Sequence, residues 1–440
     1  MEKYSSFSIR NIFNAGFYRA SHFEKIRDQK GDMKKTGKIF GAFIGGAALL
    51  FFISSFTFSS QVSFDESLAT TTTETIKKKE ITHLKTPEPL KGIYMTQCVV
   101  GTPSFREKLV KLIDETELNS VVIDIKDYTG TVAFETDNPG IDDLSKDGKG
   151  CQTPDMQDFI KRLHDKNIYV IGRVTVFQDP LYTKTHPELA VKRKSDGGTW
   201  KDRKGLSFVD VGAKPFWDYI ISIATSSYAI GFDEINFDYI RFPSDGNMED
   251  IYFSHSGTTT KKEMLRQFFF YLDQRLANTG VVTSADLFGM TTTNTDDLNI
   301  GQVLEYALMN FDYVCPMVYP SHYPPTFNGW PDPNKVPYEI VKFSMDGAVA
   351  RTNFLHTEIS TTTVTQLPDG SFVTTTPDYY LMKRINPLQL RPWLQDNDYP
   401  VHYTAEMVRK QIQATYDAGL TSWMLWDPAN TYTKEALLLE

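Results

Sequence analysis

Cysteine is scarce: Cys98, Cys151 and Cys315 are the only three in 440 residues. One is left over whatever pairs, so no disulfide framework can substitute for a hydrophobic core. Cys98 and Cys315 fall on strand-like runs, where a cysteine serves as a small buried hydrophobe. The eight His are scattered without ligand spacing, and no Gly-x-Ser-x-Gly, phosphate-binding Gly-rich loop or His-Glu-x-x-His occurs. Nothing therefore points to a zinc site, another metal or a cofactor. The main body also lacks positive charge. From residue 89 onward 33 basic residues face 46 acidic ones, a balance of −13, whereas residues 1–38 carry nine basic against four acidic. So acidic a surface repels phosphate backbones and excludes nucleic acid as a partner. At 41% hydrophobic and 23% charged, the chain is not wholly disordered, collagen-like or a multi-span membrane protein.

One long hydrophobic run is present. Ile39–Phe58 holds twenty residues without a charge, enough for a helix of about 30 Å, the thickness of a bilayer core. Lys30, Lys34, Lys35 and Lys38 precede it, which predicts a cytoplasmic N-terminus with the rest of the chain outside. A signal peptide starting near Met33 is the alternative, but no clean small-x-small cleavage site follows, which favours an uncleaved anchor. The expected organisation is a basic cytoplasmic tail at 1–38, a transmembrane anchor or signal sequence at 39–58, a disordered stalk at 59–90 and a folded body at 91–440. The stalk reading rests on few large apolar residues, the Thr70–Thr73 run, Lys77–Lys79, Pro87 and Pro89. The expected location is the cell membrane, single-pass, with the body outside the cytoplasm.

From Leu90 short β-rich runs alternate with helical stretches. The runs are Gly92–Val99, Ser120–Lys126, Ile168–Val176, Asp233–Ile240, Val281–Leu287, Tyr313–Tyr319, Leu388–Leu394 and Ser422–Trp426. Amphipathic segments such as Phe105–Glu117, Pro154–Lys166 and Ala405–Ala418 separate them, and Thr153-Pro154 reads as a helix start. Eight such repeats predict a (β/α)8 TIM barrel. Polar residues near the end of almost every strand argue against a doubly wound sheet. His186–Val211 reads as a long loop, and Ala350–Pro387, with Pro368-Asp369-Gly370, as a β-hairpin-like insertion between strands six and seven.

Strand four is the most informative. Alternation puts Asn236 and Asp238 on one face and Ile235 and Phe237 on the other. A carboxylate ending a nearly apolar strand must be paired, hydrogen-bonded or working, and Arg241 could be its counter-ion. Strand five places Ser284 and Asp286 together, and neighbouring parallel strands lie about 4.8 Å apart. Asp238 and Asp286 could therefore stand at the separation of a glycosidase carboxylate pair. The candidate catalytic residues are Asp238 and Asp286. Candidate substrate contacts are Asp124, Lys126, Asp127, Arg173, Arg241, Tyr319, His322, Arg391, Trp393 and Trp426, a set that suits a polysaccharide or oligosaccharide.

The body resembles the glycosyl hydrolase barrel domain of exported bacterial proteins, a family known as a domain of unknown function. The stretches that carry the resemblance are Val122–Asp127, Ile171–Val174, Phe232–Pro243, Ala285–Gly289, Pro316–Tyr323, Leu390–Gln395 and Leu425–Pro428, in order from about residue 90 to 430. Strand four is also similar to the chitinase-type motif Asp-x-x-Asp-x-Asp-x-Glu, with Asp233 and Asp238 at its first and third acidic positions. Asn236 replaces the second, and Ile240 stands where the catalytic glutamate belongs, so a chitinase mechanism lacks its proton donor. By analogy with amylase-like barrels, Asp238 is the expected nucleophile and Asp286 the acid/base. The resemblance implies a membrane-anchored glycoside hydrolase acting on a cell-wall or surface polysaccharide. A non-catalytic carbohydrate-binding barrel and a structural scaffold are the alternatives.

Overall fold

The computed structural model describes residues 81–360, 363–366, 371–375 and 385–439. Eight parallel strands close into a barrel in sequential order: β1 (Lys91–Met95), β2 (Ser120–Lys126), β3 (Tyr169–Thr175), β4 (Glu234–Asp238), β5 (Val282–Phe288), β6 (Tyr313–Met317), β7 (Trp393–Gln395) and β8 (Trp423–Trp426). Alternation builds two cores. Ile93, Val121, Ile123, Val170, Ile235, Phe237, Ala285 and Leu287 face outward onto the helices. Tyr94, Val122, Tyr169, Ile171, Cys315, Trp393 and Met424 fill the interior. Gly172, on the outer face of β3, lets Ile125 approach: a Cβ there would lie 2.1 Å from Ile125 Cδ1.

The helices cover the outer face with stripes at helical spacing. Pro103–Asp114 buries Arg106, Leu109, Val110 and Ile113, and Met156–His164 buries Met156, Phe159, Ile160 and Leu163. The second begins two residues later than Thr153-Pro154 suggested, and the buried Thr153 hydroxyl makes no capping bond.

Several expectations need correcting. Cys98 is not on a strand: the chain leaves β1 at Thr96, whose hydroxyl caps the short helix Gln97–Val100, and Cys98 is exposed and bonded to Cys151. Cys315 is buried and free, as expected. Ala350–Ser360 continues the helix Pro337–Ser360 rather than opening a loop. Beyond it Thr363–Gln366 and Phe372–Thr375 pair antiparallel as the anticipated hairpin, although Pro368–Gly370 lie outside the described residues. The His186–Val211 segment is not bare loop either. Lys192–Arg193 pairs with Ile251–Tyr252, and the buried Trp200 donates its indole N–H to Asn247 O at 2.9 Å.

Residues 81–90, assigned to the stalk from composition, lie against the N-terminal end of the barrel. Asp233 accepts from Leu84 N at 2.7 Å and Val170 N at 2.8 Å, and lies 2.9 Å from His164 Nε2. His83 stacks on Tyr228 at 3.8 Å. Residues 1–80, with the expected tail, membrane segment and most of the stalk, lie outside the described residues. Among the described residues no helix is long and apolar enough to cross a membrane.

Candidate active site

At the C-terminal ends of β2, β3, β4 and β5, inward-facing side chains from four strands meet around one guanidinium. Asp124 and Asn236 flank Arg173 in register. Arg173 donates through Nη1 to Asp124 and through Nη2 and Nε to Asp238, the Nε bond being 3.1 Å. Its Nε also lies 3.9 Å from Asp286 Oδ2. The Oδ2 atoms of Asp238 and Asp286 are thus at most about 7.0 Å apart, the sum of 3.1 and 3.9 Å. That bound admits the about 5–5.5 Å of a retaining carboxylate pair and the low end of the roughly 6.5–9.5 Å of an inverting one.

Three buried carboxyls share one cation, so full ionisation would leave uncompensated charge in a low-dielectric interior. Asp286 is the group pushed furthest. Burial, then the charge of Asp238, raise its pKa well above the carboxylate range, against Arg173 and the hydrogen bonds of Asn236 and Trp393. Its Oδ1 accepts from Asn236 Nδ2 at 2.9 Å and Trp393 Nε1 at 2.8 Å. Burial likewise raises Asp124 to about 6, opposed by Arg173 and by the Tyr94 hydroxyl, which donates to it at 2.5 Å. Immediately after Asp238 the chain turns sharply. Tyr239 has φ 48°, a left-handed conformation costing a bulky residue on the order of 1–3 kcal/mol. That turn lets Tyr239 N donate to Asp238 Oδ1 at 2.5 Å.

Other candidates gather at the same mouth. Asp127 is 9% exposed and takes the N–H and hydroxyl of Thr129. Tyr319 stacks on Trp426 at 5.0 Å and meets the edge of His322 at 5.2 Å. Burial lowers the His322 pKa to about 4, so the ring is neutral near pH 7.

Four candidates sit differently. A register shift between Asp124 and Lys126 sets Lys126 opposite Val174, on the helix side, and its ammonium pairs with Asp179 at 2.9 Å with both side chains fully buried. Arg391 lies deeper in the barrel, bonded at 2.9 Å to Glu234, the first residue of β4. Trp393 is buried and holds Asp286 through its indole N–H instead of offering a face. Arg241 makes no ion pair with Asp238, a role Arg173 fills; its Nη1 donates to Phe242 O and Ser244 Oγ.

Composition and spacing did not single out Tyr94 or Gln302. Gln302 accepts from Phe288 N at 2.9 Å and donates to Asp286 O at 3.2 Å, fixing the end of β5. Nor did they single out Asp396, which burial raises to about 7 while Thr433 donates to both its oxygens. Among the described residues no group of three or more His, Cys, Asp or Glu side chains could hold a metal ion.

A family model described as "Putative glycosyl hydrolase domain" matches residues 92–363 and 374–432. The chain belongs to this family. The match covers the barrel from Gly92 onward and breaks off only across residues 364–373, in the hairpin, so the carboxyl-lined mouth is that of a glycosyl hydrolase domain. No curated protein matches the chain. Among solved structures, a hypothetical protein from Ruminiclostridium thermocellum ATCC 27405 is 35% identical, covering 47% of this chain and 98% of that one, with a TM-score of 0.40. The glycoside hydrolase domain of PgaB (BpsB) from Bordetella bronchiseptica is 13% identical, covers 80% of this chain and 99% of its own, and has a TM-score of 0.52. At that identity the likeness concerns the fold alone.

Proposed function

We propose that this protein is a membrane-anchored, extracytoplasmic glycoside hydrolase that cleaves a cell-wall or surface polysaccharide, with Asp238 as nucleophile and Asp286 as acid/base. The observation that carries the reading is the pairing of unlike environments on adjacent strands: a carboxylate charge-balanced by Arg173 beside a carboxyl held by neutral donors and pushed toward its protonated form. Such divergence is how a site assigns one carboxyl to attack and the other to protonation.

In the first step the Asp286 proton passes to the glycosidic oxygen as that oxygen leaves with the bonding pair. Asp238 attacks the anomeric carbon directly at a retaining separation, or activates a water there at an inverting one. In the retaining route Asp286, now ionised, takes a proton from the water that releases the sugar. Asp124 and Tyr94 hold Arg173 in place. Half-buried Trp426, backed by the buried Tyr319 ring stacked on it, offers a ring face to the substrate. Export is supported by the Cys98–Cys151 disulfide, a bond that persists in oxidising compartments, and by the uncharged run Ile39–Phe58.

The Arg173–Asp238 link would equally serve a non-catalytic carbohydrate-binding barrel, and turnover separates the two. The full-length protein should release reducing ends from at least one member of a polysaccharide panel. Binding without release across the panel would replace hydrolysis by recognition.

A further inference from the structure

Arg241, on the rim of the mouth, is a cation that the two-carboxylate chemistry leaves unused. Arg241 is only 8% exposed. Its guanidinium lies between the rings of Tyr239 and Phe288, 4.9 and 4.8 Å from their centroids, so the side chain is held on the rim between β4 and β5. Nη1 donates to Phe242 O at 3.1 Å and Ser244 Oγ at 3.0 Å. Among the described residues Nε and Nη2 donate to nothing, and no carboxylate lies within ion-pair distance.

The acids that feel its charge are engaged elsewhere. Asp238 is bonded to Arg173. Asp202 accepts from Lys204 N and Leu206 N at 2.9 Å each and from Gln178 Nε2 at 3.2 Å. Asp245 pairs with Arg203 at 3.1 Å. Arg173, by contrast, is satisfied by carboxylates on both sides. Although Arg241 as a whole is nine-tenths buried, its Nε and Nη2 are not among the enclosed unpartnered atoms, so they reach solvent at the mouth and stand open to a ligand. The planar fork suits two oxygens of a carboxylate or phosphate, while a neutral hydroxyl would leave the charge uncompensated. The acids nearest Arg241, Asp238, Asp202 and Asp245, are each already paired or hydrogen-bonded, so the open half of the fork is left for a single ligand anion.

We propose that Arg241 binds a carboxylate or phosphate on the sugar unit adjoining the cleaved bond, so that the substrate is an acidic polysaccharide. The placement beside a cleaved bond rests on the hydrolase reading; the anion site does not. The test uses the full-length protein in two arms. In the first, thermal unfolding is followed with D-glucuronate, inorganic phosphate or neutral glucose. At least one anion should raise the melting temperature of the wild type, glucose should not, and R241Q and R241K should lose the rise. In the second arm, an acidic polysaccharide is compared with its carboxyl-reduced form. Wild-type kcat/KM should fall at least tenfold on reduction, and that ratio should collapse toward one in R241Q. If R241Q fails to fold, R241K and the wild-type polymer comparison still decide. Anion binding lost in the variants without cleavage of any polymer would remove the hydrolase reading and leave the anion site standing. Cleavage of neutral polymers without any anion effect, or equal anion stabilisation of R241Q, would overturn the anion site and leave the hydrolase reading intact.

Discussion

Replacing Asp286 by asparagine separates catalysis from stability, because the two should move in opposite directions. The amide keeps the shape and retains an oxygen for Asn236 Nδ2 and Trp393 Nε1, now 2.9 and 2.8 Å from Oδ1. What disappears is the transferable proton, and loss of a general acid costs about 10²–10⁴ in rate. The stability effect follows from the raised pKa. The native carboxyl keeps its proton where the unfolded one, near 3.9, has released it. Native protein thus binds more protons than unfolded protein, and stability falls as pH rises through that window. Each pH unit in it removes about 1.4 kcal/mol. Asp286→Asn has no such group, so its stability relative to wild type should improve steadily from about pH 4 upward. Urea unfolding at several pH values, beside a reducing-end assay, reads both effects. A variant that tracks the wild-type pH dependence of stability, or cleaves within tenfold of wild type, would refute the assignment.

Trp393→Phe removes a donor that favours the ionised form of Asp286, so the alkaline limb of the pH–rate profile should move upward, with a stability loss of roughly 1–3 kcal/mol from the unpaired, under-packed site; an unmoved limb would contradict the hydrogen bond's role. Cys98→Ser opens a link between residues 53 apart, and the chain-entropy estimate for such a loop is about 4 kcal/mol. Thermal melts with and without reductant test this, and a wild-type melting temperature indifferent to reductant would count against the bond. Full-length protein should sediment with membranes and need detergent for release. A soluble product shorter by about 60 residues would instead indicate a cleaved signal peptide.

The barrel was legible because its strands repeat one local rule: the alternation that sends Ile235 and Phe237 outward and Asn236 and Asp238 inward needs no distant information. The same rule found Asp124, Arg173 and Asp286. It failed where the chain breaks step. At Lys126 a register shift inverts the face, and no residue type in Ile125–Asp127 announces it. At Arg391 the alternation was sound but the depth was not, since a 3-10 turn at Pro387–Gln389 delays β7 and leaves Arg391 beside the first residue of β4. Which arginine balances Asp238 depends on register: Thr175 opposite Asp238 sets Arg173 within reach, while Arg241 lies past the left-handed turn at Tyr239. Tyr94 reaches Asp124 across 30 residues and Leu84 reaches Asp233 across 149, contacts that composition cannot encode. The Thr96 cap that takes Cys98 off its strand was visible, but the apolar Val99 and Val100 masked it.

If Asp238 and Asp286 form a working glycosidase pair, Asp238→Asn must disable it. The variant preserves side-chain shape and removes the charge that Arg173 balances. Reducing-end release by full-length wild type and variant should be compared on the best substrate of the polysaccharide panel, with the folded state confirmed by matching melting curves. The variant should be well folded and at least about a thousandfold slower, as expected when a nucleophile is lost. A folded variant cleaving within tenfold of wild type would contradict it.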